Sequence, residues 1–297
     1  MADLRGVAAV VVTYDALPWI EQCLQSLEGV ETVVVDNGSR DGTVAVVRER
    51  FPAVRVVEQE NLGLAAGWNR GIEETQSDHV LIVNADAWLV GGALDALMQT
   101  IQRRARAAWV SPRLRNPDGT LQRSVRGWPS VWRLATEYLF LRKLAPHSRA
   151  LNAFYGAGFD HASEQAVEWA MGSCMLVRRA SLEDIGLFDP DFFLFSEETD
   201  WCRRARDAGW EVVFTPAAEC VHVGGASHGG RLFRENLSGH LRYLRKHEGL
   251  RTAERARRLL RSALRLRALL FRGERGAMYR DAATWLASGD VDALLRR

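Results

Sequence analysis

Acidic and polar residues follow three apolar runs that are predicted to be strands in the first third of the chain. They are Thr13 and Asp15 after the first run, Asp36 and Asn37 after the second, and Asp86 after a later one. Because the carboxyl ends of parallel strands meet at one edge of a sheet, we expect these side chains to converge on one crevice. Asp and Asn are also common turn residues, and for Asp15 a turn role is an equally good interpretation. For Asp36 and Asp86 together, the pattern favours a binding site.

Asp86 has the chemistry of a metal ligand. A carboxylate just beyond a buried strand can hold a hard divalent cation, Mg²⁺ or Mn²⁺, and leave positions on the ion open to phosphate oxygens. His222 lies in the run Val221–Gly225 and is a candidate second ligand, because imidazole suits manganese-like ions. A single histidine at a strand end is more often structural, so the residues alone leave both interpretations of His222 open.

Three carboxylates, Glu197, Glu198 and Asp200, follow the apolar run Phe192–Phe195 and begin a predicted helix. The positive end of the helix dipole favours acids there, which is a sufficient structural reason for their presence. A partly desolvated carboxylate at this place could also take a proton from an acceptor hydroxyl. Glu198 points about 100° away from Glu197 around the helix axis, so the acids need not share one role.

A glycine-rich segment, Asn61–Gly71, leads into another predicted helix. Backbone amides at a helix N-terminus favour anions, and Arg70 adds positive charge. Glycines also simply make turns, and the segment is not a GxGxxG dinucleotide fingerprint. This signal is weak when it is taken alone.

The candidate residues need a scaffold of alternating strands and helices. Apolar, β-branched runs predict strands and amphipathic segments predict helices. The predicted strands are Val7–Val12, Thr32–Val35, Val54–Glu58 and His79–Val83, and the predicted helices are Trp19–Leu27, one capped by Asp41–Thr43 that ends near Phe51, and Ala65–Thr75. This alternation predicts an α/β fold with a doubly wound, mostly parallel sheet.

The periodicity weakens beyond Trp109. The remaining predicted elements are a helix over Val131–Leu144, a mobile loop over Pro146–Gln165, a strand over Glu168–Val177, a helix over Glu197–Gly209, a strand over Glu211–Phe214 and basic helices from Leu232 onward. Asn116–Gly119 predicts a turn.

The composition fits a globular enzyme. The chain has 297 residues, 47% hydrophobic and 26% charged, which argues against global disorder. A formal net charge of +2 is too small to predict a nucleic-acid partner. The four cysteines form no CxxC pair and predict reduced, buried thiols. The first residues lack the pattern of a signal peptide and no apolar stretch is long enough to cross a membrane, so we expect a cytoplasmic protein.

Taken together, these segments resemble glycosyltransferase family 2, in particular its bacterial rhamnosyltransferase-like branch. The matching motifs, in family order, are Val11–Asp15, Val35–Thr43, Asn61–Gly71, Asn84–Asp86, Trp169–Ser173, Gly186–Phe193, and His222 with Gly225 and Ser227. Two positions depart from the family pattern. Asp15 replaces the usual Asn, and Glu198 replaces the Asp that serves as the catalytic base.

The resemblance implies a GT-A fold and inverting transfer of a sugar from a nucleoside diphosphate to a glycan or polyprenyl-linked acceptor. It implies Mg²⁺ or Mn²⁺ at Asp86 with help from His222, and a base at Glu198 with Glu197 beside it. The implied donor-site residues are Thr13, Asp15, Asp36, Asn37, Asn61, Gly63, Asn69 and Asp86, and the implied acceptor-site residues are Trp169, Gly172 and Asp200. The preferred donor is dTDP-rhamnose, used for a cell-surface polysaccharide.

We predict three regions in the chain. Residues 1–110 form the nucleotide-sugar-binding half, residues 111–230 form the acceptor-binding half of the same GT-A domain, and residues 231–297 form a basic helical extension. In the extension, arginines alternate with an apolar stripe made of Ala256, Leu259, Leu260, Ala263 and Leu264. The stripe can pack on its own protein or on a second subunit in a homodimer, and these two interpretations are favoured. It can also rest, as a peripheral contact, on the inner face of the plasma membrane.

Two other function classes fit part of the pattern. A nucleotidyltransferase would share the sheet and the metal carboxylates, but it should carry a glycine-rich basic loop after the first strand, and Thr13–Pro18 lacks one. A non-catalytic nucleotide-sugar or glycan-binding protein with a degenerate site is left open by Glu198. The basic tail has no recognisable DNA-reading motif, so we expect no nucleic-acid partner.

Overall fold

The structure is a computed structural model that describes residues 6–152, 154, 156, 158–224 and 230–296. Its strands are β1 (Val7–Thr13), β2 (Glu31–Asp36), β3 (Arg55–Glu58), β4 (His79–Asn84), β5 (Ala87–Leu89), β6 (Ala107–Arg115), β7 (Leu121–Gln122), β8 (Val125–Arg126), β9 (Gln165–Val167), β10 (Trp169–Ala170), β11 (Cys174–Arg178) and β12 (Glu211–His222). Its helices are α1 (Ile20–Gln25), α2 (Thr43–Arg50), α3 (Leu64–Glu73), α4 (Ala93–Arg103), α5 (Val131–Tyr138), α6 (Arg149–Asn152), α7 (Arg179–Ile185), α8 (Glu197–Asp207), α9 (Gly230–His247), α10 (Leu250–Leu270), α11 (Gly273–Trp285) and α12 (Val291–Leu295). A 3₁₀ helix spans Leu141–Lys143.

Contacts between residues divide the chain into two compact units. The first unit holds Met1–Val125, Asp160–Phe193 and Glu197–Gly224, and the second holds Arg126–Phe159, Leu194–Ser196 and Gly225–Arg297. The main sheet lies in the first unit, and α9 to α12 lie in the second. The three-region division at residues 110 and 230 stays a prediction.

The main sheet follows the order β3-β2-β1-β4-β11-β6-β12-β5. β1 pairs in parallel with β2 and β4, and β2 pairs in parallel with β3, as the alternating pattern predicts. Beyond β4 the sheet is mixed, because β11 runs antiparallel to β4 and β6, while β12 is parallel to β6 and antiparallel to β5. The predicted α/β class is confirmed.

Several predicted elements have different boundaries in the structure. The predicted strand over Glu168–Val177 is broken into β10 and β11. The predicted helix over Val131–Leu144 stops at Tyr138, because Phe140 has a left-handed φ of 60° that a right-handed helix cannot contain. The span predicted as a mobile loop, Pro146–Gln165, contains α6. The predicted strand that begins at Glu211 runs to the end of β12 instead of stopping at Phe214.

All four cysteines are buried and none of them forms a disulfide, which confirms the prediction of reduced thiols. Burial raises the thiol pKa of Cys23 and of Cys202. A hydrogen bond with Cys220, followed by burial, raises the pKa of Cys174. These three thiols are therefore protonated at neutral pH.

Helix α10 buries the predicted apolar stripe within the second unit. Ala256, Leu260, Ala263 and Leu264 are fully buried, Leu259 is half-buried, and the helix packs on α5, α9 and α11. The stripe therefore packs on its own protein, which was one of the favoured interpretations, and it is not available to a membrane. None of the helices in the described residues combines the length and the apolarity that crossing a membrane requires.

A buried arginine ties α10 to the end of α5. The Arg267 guanidinium donates to the carbonyl oxygens of Glu137 (2.7 Å) and Tyr138 (2.8 Å). These are carbonyls of the last turn of α5, where a helix lacks its own donors. The same guanidinium lies 4.2 Å from the centroid of the Phe140 ring. Arg267 therefore satisfies the end of α5 and stacks on the aromatic ring that follows it.

We expect Arg267→Ala to lower the free energy of unfolding by about 2–4 kcal/mol, because it removes charge-assisted hydrogen bonds and a cation–π contact. Urea denaturation followed by circular dichroism measures the change. Arg265→Ala is the matched control, because Arg265 is exposed on the same helix. We expect it to change the free energy by less than about 0.5 kcal/mol. Equal effects of the two substitutions would contradict the role given to Arg267.

Candidate active site

The carboxyl ends of β1 and β2 build the first part of the site. Thr13 and Asp36 are paired across these strands, and both side chains are buried. Asp36 Oδ2 accepts from the backbone amides of Gly38 (3.0 Å) and Ser39 (2.9 Å). Among the described residues, the buried Oδ1 of Asp36 has no hydrogen-bond donor. A buried acceptor left in this way costs free energy, and a ligand N–H placed here would satisfy it.

A cavity of about 590 Å³ opens beside Asp36. Its lining residues are Tyr14, Asp36, Asn37, Gly38, Ser39, Arg40, Glu58, Gln59, Glu60 and Asn61. Three of the predicted donor-site residues, Asp36, Asn37 and Asn61, therefore share one cavity. Its volume is typical of a small-molecule site. Sequence reasoning did not assign Tyr14 a role, although its exposed aromatic ring between Thr13 and Asp15 was a usable signal.

Asp15 and Asn37 hold the loops around this cavity. Asp15 has a left-handed φ of 50°, and its Oδ1 accepts from the backbone amide of Arg40 at 2.7 Å. Asn37 Nδ2 donates to the carbonyl oxygen of Gly63 at 3.2 Å, and Asn37 Oδ1 accepts from Gln59 Nε2 at 2.8 Å. Both side chains thus shape the cavity walls, and direct ligand contact by either one stays a prediction.

The glycine-rich segment supports close packing in the structure. A Cβ added at Gly71 would lie 2.2 Å from a valine methyl of β1, so glycine lets α3 approach the sheet. Gly63 has a φ of 97°, and a Cβ there would lie 2.5 Å from the carbonyl oxygen of Phe193. The Asn69 amide donates to the Phe188 carbonyl oxygen (2.7 Å) and accepts from the Phe188 amide (3.0 Å). The nucleotide contacts predicted for Gly63 and Asn69 stay predictions.

The second part of the site is the contact between Asp86 and His222. The ladder of β5 and β12 places Ala87 opposite His222, and His222 Nε2 lies 3.5 Å from Asp86 Oδ1. The Gly224 amide donates to Asp86 Oδ2 at 3.1 Å. Burial raises the pKa of Asp86. The hydrogen bonds from His222 and Gly224 and the electrostatic interaction with His222 outweigh this effect and hold the pKa below its usual value. The carboxylate is therefore ionised and beside an imidazole nitrogen.

Gln122, which sequence reasoning missed, fixes the His222 ring. Gln122 Nε2 donates to Asn116 Oδ1 (2.9 Å) and to the His222 carbonyl oxygen (3.1 Å). Its Oε1 lies 2.7 Å from His222 Nδ1, so Nδ1 carries the donated proton and Nε2 faces Asp86. Metal-binding histidines commonly donate their other ring N–H in this way. The available signal was the Asn116–Gly119 turn, which folds β7 back onto β6.

Asp86 and His222 fit a divalent metal that takes its other ligands from a bound diphosphate. Mg²⁺ is usually held by one or two carboxylates together with substrate phosphates, and imidazole suits Mn²⁺. Over residues 6–152, 158–224 and 230–296, no group of three or more His, Cys, Asp and Glu side chains could hold an ion by itself. Gly225 and Ser227, which complete the predicted motif of His222, lie outside the described residues.

The three acids at the start of α8 have different environments. Glu197 is buried, and this burial, together with the charge of Glu198, raises its pKa well above the usual value. Glu198 is half-buried. Asp200 is fully buried, and its Oδ2 accepts from Arg204 Nε at 2.9 Å. Burial thus favours the protonated form of Glu197, whereas Asp200 has a structural ion pair. The acceptor contact predicted for Asp200 stays a prediction.

Gly172 brings the other predicted acceptor segment to Glu198. A Cβ added at Gly172 would lie 3.5 Å from the Cβ of Glu198 and 2.8 Å from Trp68 Cη2. Only glycine leaves room for the backbone between these side chains. Trp169, three residues earlier, is largely buried in β10. The structure therefore brings Gly172 to Glu198, and acceptor binding by Trp169 and Gly172 stays a prediction.

Sequence comparison gives a family match and a relative of nearly full length. The family described as "Glycosyltransferase like family 2" matches residues 5–244. An N-acetylglucosaminyl-diphospho-decaprenol L-rhamnosyltransferase of Mycobacterium tuberculosis is 33% identical over 301 residues, which cover 93% of this chain and 97% of the relative.

Two solved structures share the fold. GalNAc-T7 with UDP, GalNAc and Mn²⁺ aligns with a TM-score of 0.60 at 12% identity, over 96% of this chain and 56% of that chain. The mannosyltransferase PcManGT from Pyrobaculum calidifontis, in complex with GDP-Man and Mn²⁺, aligns with a TM-score of 0.58 at 18% identity, over 98% of this chain and 84% of that chain. These likenesses confirm the predicted GT-A fold.

The raised pKa of Glu197 predicts a pH-dependent loss of stability. The folded protein holds this proton at a pH where the unfolded chain has released it, so the free energy of unfolding falls as pH rises above the unfolded pKa of about 4.3. The slope is at most about 1.4 kcal/mol per pH unit. We expect Glu197→Gln to remove this contribution. Urea denaturation of both proteins at several pH values from pH 4 to pH 8 measures it, and parallel pH profiles would contradict the raised pKa of Glu197.

Proposed function

This chain belongs to glycosyltransferase-like family 2, and from that membership we propose that it transfers L-rhamnose from dTDP-rhamnose to a lipid-linked N-acetylglucosaminyl diphosphate. The donor and the acceptor follow those in the name of the M. tuberculosis relative and the predicted rhamnosyltransferase branch. One observation carries the proposal. Asp36 ends β2 and Asp86 follows β4, and these strands lie on either side of β1, so one sheet edge would contact both ends of a nucleotide.

Asp36 is the proposed contact for the donor base. Its buried Oδ1 needs a hydrogen-bond donor, and the N3–H of thymine or uracil supplies one. Tyr14 and Asn61 line the same cavity and would surround the nucleoside.

Asp86 and His222 would hold Mg²⁺ or Mn²⁺ in the proposed complex. The ion would neutralise charge that develops on the departing diphosphate. Asp86 is ionised in the structure, and Gln122 keeps His222 Nε2 directed at it. Among the described residues Asp86 and His222 are the two candidate ligands, so the diphosphate would supply further ligands and metal and donor would bind together.

Glu198 is the proposed catalytic base. The acceptor oxygen attacks the anomeric carbon, the bond from that carbon to the diphosphate oxygen breaks, and the acceptor proton passes to Glu198. Because the attack comes from the side opposite the leaving group, the anomeric configuration inverts. Glu197 is the less suitable base, because it is 2% exposed and its burial favours the protonated form. Glu198 reaches one methylene farther than the usual Asp, so the acceptor would sit correspondingly farther from the backbone of α8.

The remaining predicted partners are part of the proposal. A polyprenyl-linked acceptor places the reaction at a membrane, and we propose the cytoplasmic face of the plasma membrane for a chain whose described helices do not span one. The homodimer stays a proposal, and it would need another surface, because the apolar stripe of α10 is covered by α5, α9 and α11.

Adjacent glutamates give a matched test of the proposed chemistry. We expect Glu198→Gln to lower kcat for rhamnose transfer by about 10²- to 10⁴-fold, because it removes the base. Glu197→Gln should keep most of the activity, because Gln resembles the neutral acid. The assay offers dTDP-, UDP- and GDP-sugars with Mg²⁺ or Mn²⁺ and a short-chain polyprenyl-diphospho-N-acetylglucosamine. Isothermal titration should show unchanged donor affinity in both variants.

Each contrary result would reject a different part of the proposed function. Full activity in Glu198→Gln would reject this base assignment, whereas transfer from UDP- or GDP-sugars alone would reject the proposed donor. Tight donor binding without turnover in the wild type would favour the non-catalytic nucleotide-sugar-binding alternative.

Gln122 gives a separate test of the metal ligands. Gln122→Met removes the acceptor for His222 Nδ1, and we expect Mn²⁺ affinity in the presence of dTDP to fall about 10- to 100-fold. Gln122→Glu restores an acceptor and should recover part of the loss. Electron paramagnetic resonance of free Mn²⁺ measures binding without turnover. Unchanged affinity in Gln122→Met would show that His222 does not bind the metal through Nε2.

A further inference from the structure

Three leucines at the C-terminal end of α10 are exposed. Leu266, Leu269 and Leu270 are 45%, 83% and 62% exposed, and their spacing of three and four residues puts them on one side of the helix. The buried stripe of the same helix faces α5, α9 and α11, so these leucines are additional to the helix's own packing. Large apolar side chains that cluster in this way at the surface mark an interaction site.

A fourth exposed leucine lies at the same end of the second unit. Leu144 is 78% exposed and directly follows the 3₁₀ helix Leu141–Lys143. The ring of Phe140, which precedes that helix, lies 5.9 Å from the ring of Phe271, which follows α10. We call Leu144, Leu266, Leu269 and Leu270 the leucine tip.

Basic residues surround the leucine tip. Residues 262–275 contain four arginines, of which Arg267 is buried, and one acid, Glu274. Residues 139–147 contain Lys143 and Arg142, and Arg142 is paired with Glu137. Arg265 and Arg272 are exposed on either side of the leucines. Lys143 Nζ lies 5.0 Å from the centroid of the Phe140 ring, which keeps this cation beside the tip. The surface therefore joins exposed apolar side chains to an excess of positive charge from Lys143, Arg265 and Arg272.

We propose that the leucine tip docks on an anionic lipid bilayer, with the leucines entering the interface and Arg265, Arg272 and Lys143 contacting lipid phosphates. Apolar area and attraction to anionic headgroups are the two contributions that bind such surfaces to membranes. The proposal rests on the proposed function only for the biological reason to dock, because a lipid-linked acceptor resides in a bilayer. The evidence for the docking surface itself is the exposure and position of these side chains.

A bilayer fits this surface better than a second copy of the chain does. A symmetric dimer through the leucine tip would bring the same patch of both copies together. It would then place arginines of one copy against arginines of the other, with only Glu274 in residues 255–275 to offset them. An anionic lipid surface offers the opposite charge to each arginine.

Vesicle flotation of the full chain tests the proposal without donor or acceptor. Wild-type protein should float with vesicles of phosphatidylcholine and phosphatidylglycerol and much less with phosphatidylcholine alone. Leu269→Ser with Leu270→Ser should weaken binding at least about tenfold. Arg265→Gln and Arg272→Gln should each weaken it about fivefold. Leu250→Ser is the matched control, because Leu250 is 39% exposed at the other end of α10, about 28 Å away.

Each result of these measurements either supports or overturns the docking proposal. Binding that depends on anionic lipid and is lost in the tip variants but not in Leu250→Ser supports it. No flotation of the wild type, or equal loss in Leu250→Ser, overturns it. Sedimentation that shows a dimer abolished by the tip variants also overturns it, in favour of a second copy. Thermal unfolding checks that the variants fold, and transfer to a water-soluble acceptor analogue tests the enzyme separately.

Discussion

The antiparallel ladder of β5 and β12 is the constraint on which the candidate metal site depends. It pairs Ala87 with His222 and so joins parts of the chain that are far apart in sequence. The Val223 amide continues the contact by donating to the Asp86 carbonyl oxygen at 3.0 Å. Backbone hydrogen bonds thereby hold the main chain of Asp86 and His222 in place, and Gln122 orients the imidazole ring of His222. Backbone pairing of this kind holds a ligand geometry more firmly than side-chain contacts alone.

The first half of the fold was readable because local signals agree there. The runs at β1, β2 and β4 are apolar and β-branched, and the polar residues at their ends meet as the switch-point rule requires. The second half was harder to predict. β6 is a central strand that contains Pro112, a residue that normally argues against such a position. Its partner β12 has a register irregularity between Thr215 and Glu219, so periodicity there is broken.

The candidate site shows the same division. Sequence reasoning named Asp36, Asp86 and His222, whose residue types already suggest ligand binding. The family resemblance placed the base at Glu198, but the sequence could not show that Glu197 is the more buried acid, because tertiary packing decides burial. Sequence reasoning could not find Gln122 either, since a glutamine in a two-residue strand has no distinctive pattern. The role of a residue that acts through its neighbour becomes visible only when the neighbour's position is known.

The buried thiols have a practical consequence for anyone who wishes to follow this molecule spectroscopically. Cys23, Cys174 and Cys202 hold their protons at neutral pH, and Cys220 is enclosed with them in the interior. Alkylating reagents attack thiolates that solvent can reach, so the native chain should be nearly silent toward maleimides while it is folded. A single cysteine introduced on the surface would then carry a fluorophore or spin label alone, with no need to remove the natural cysteines.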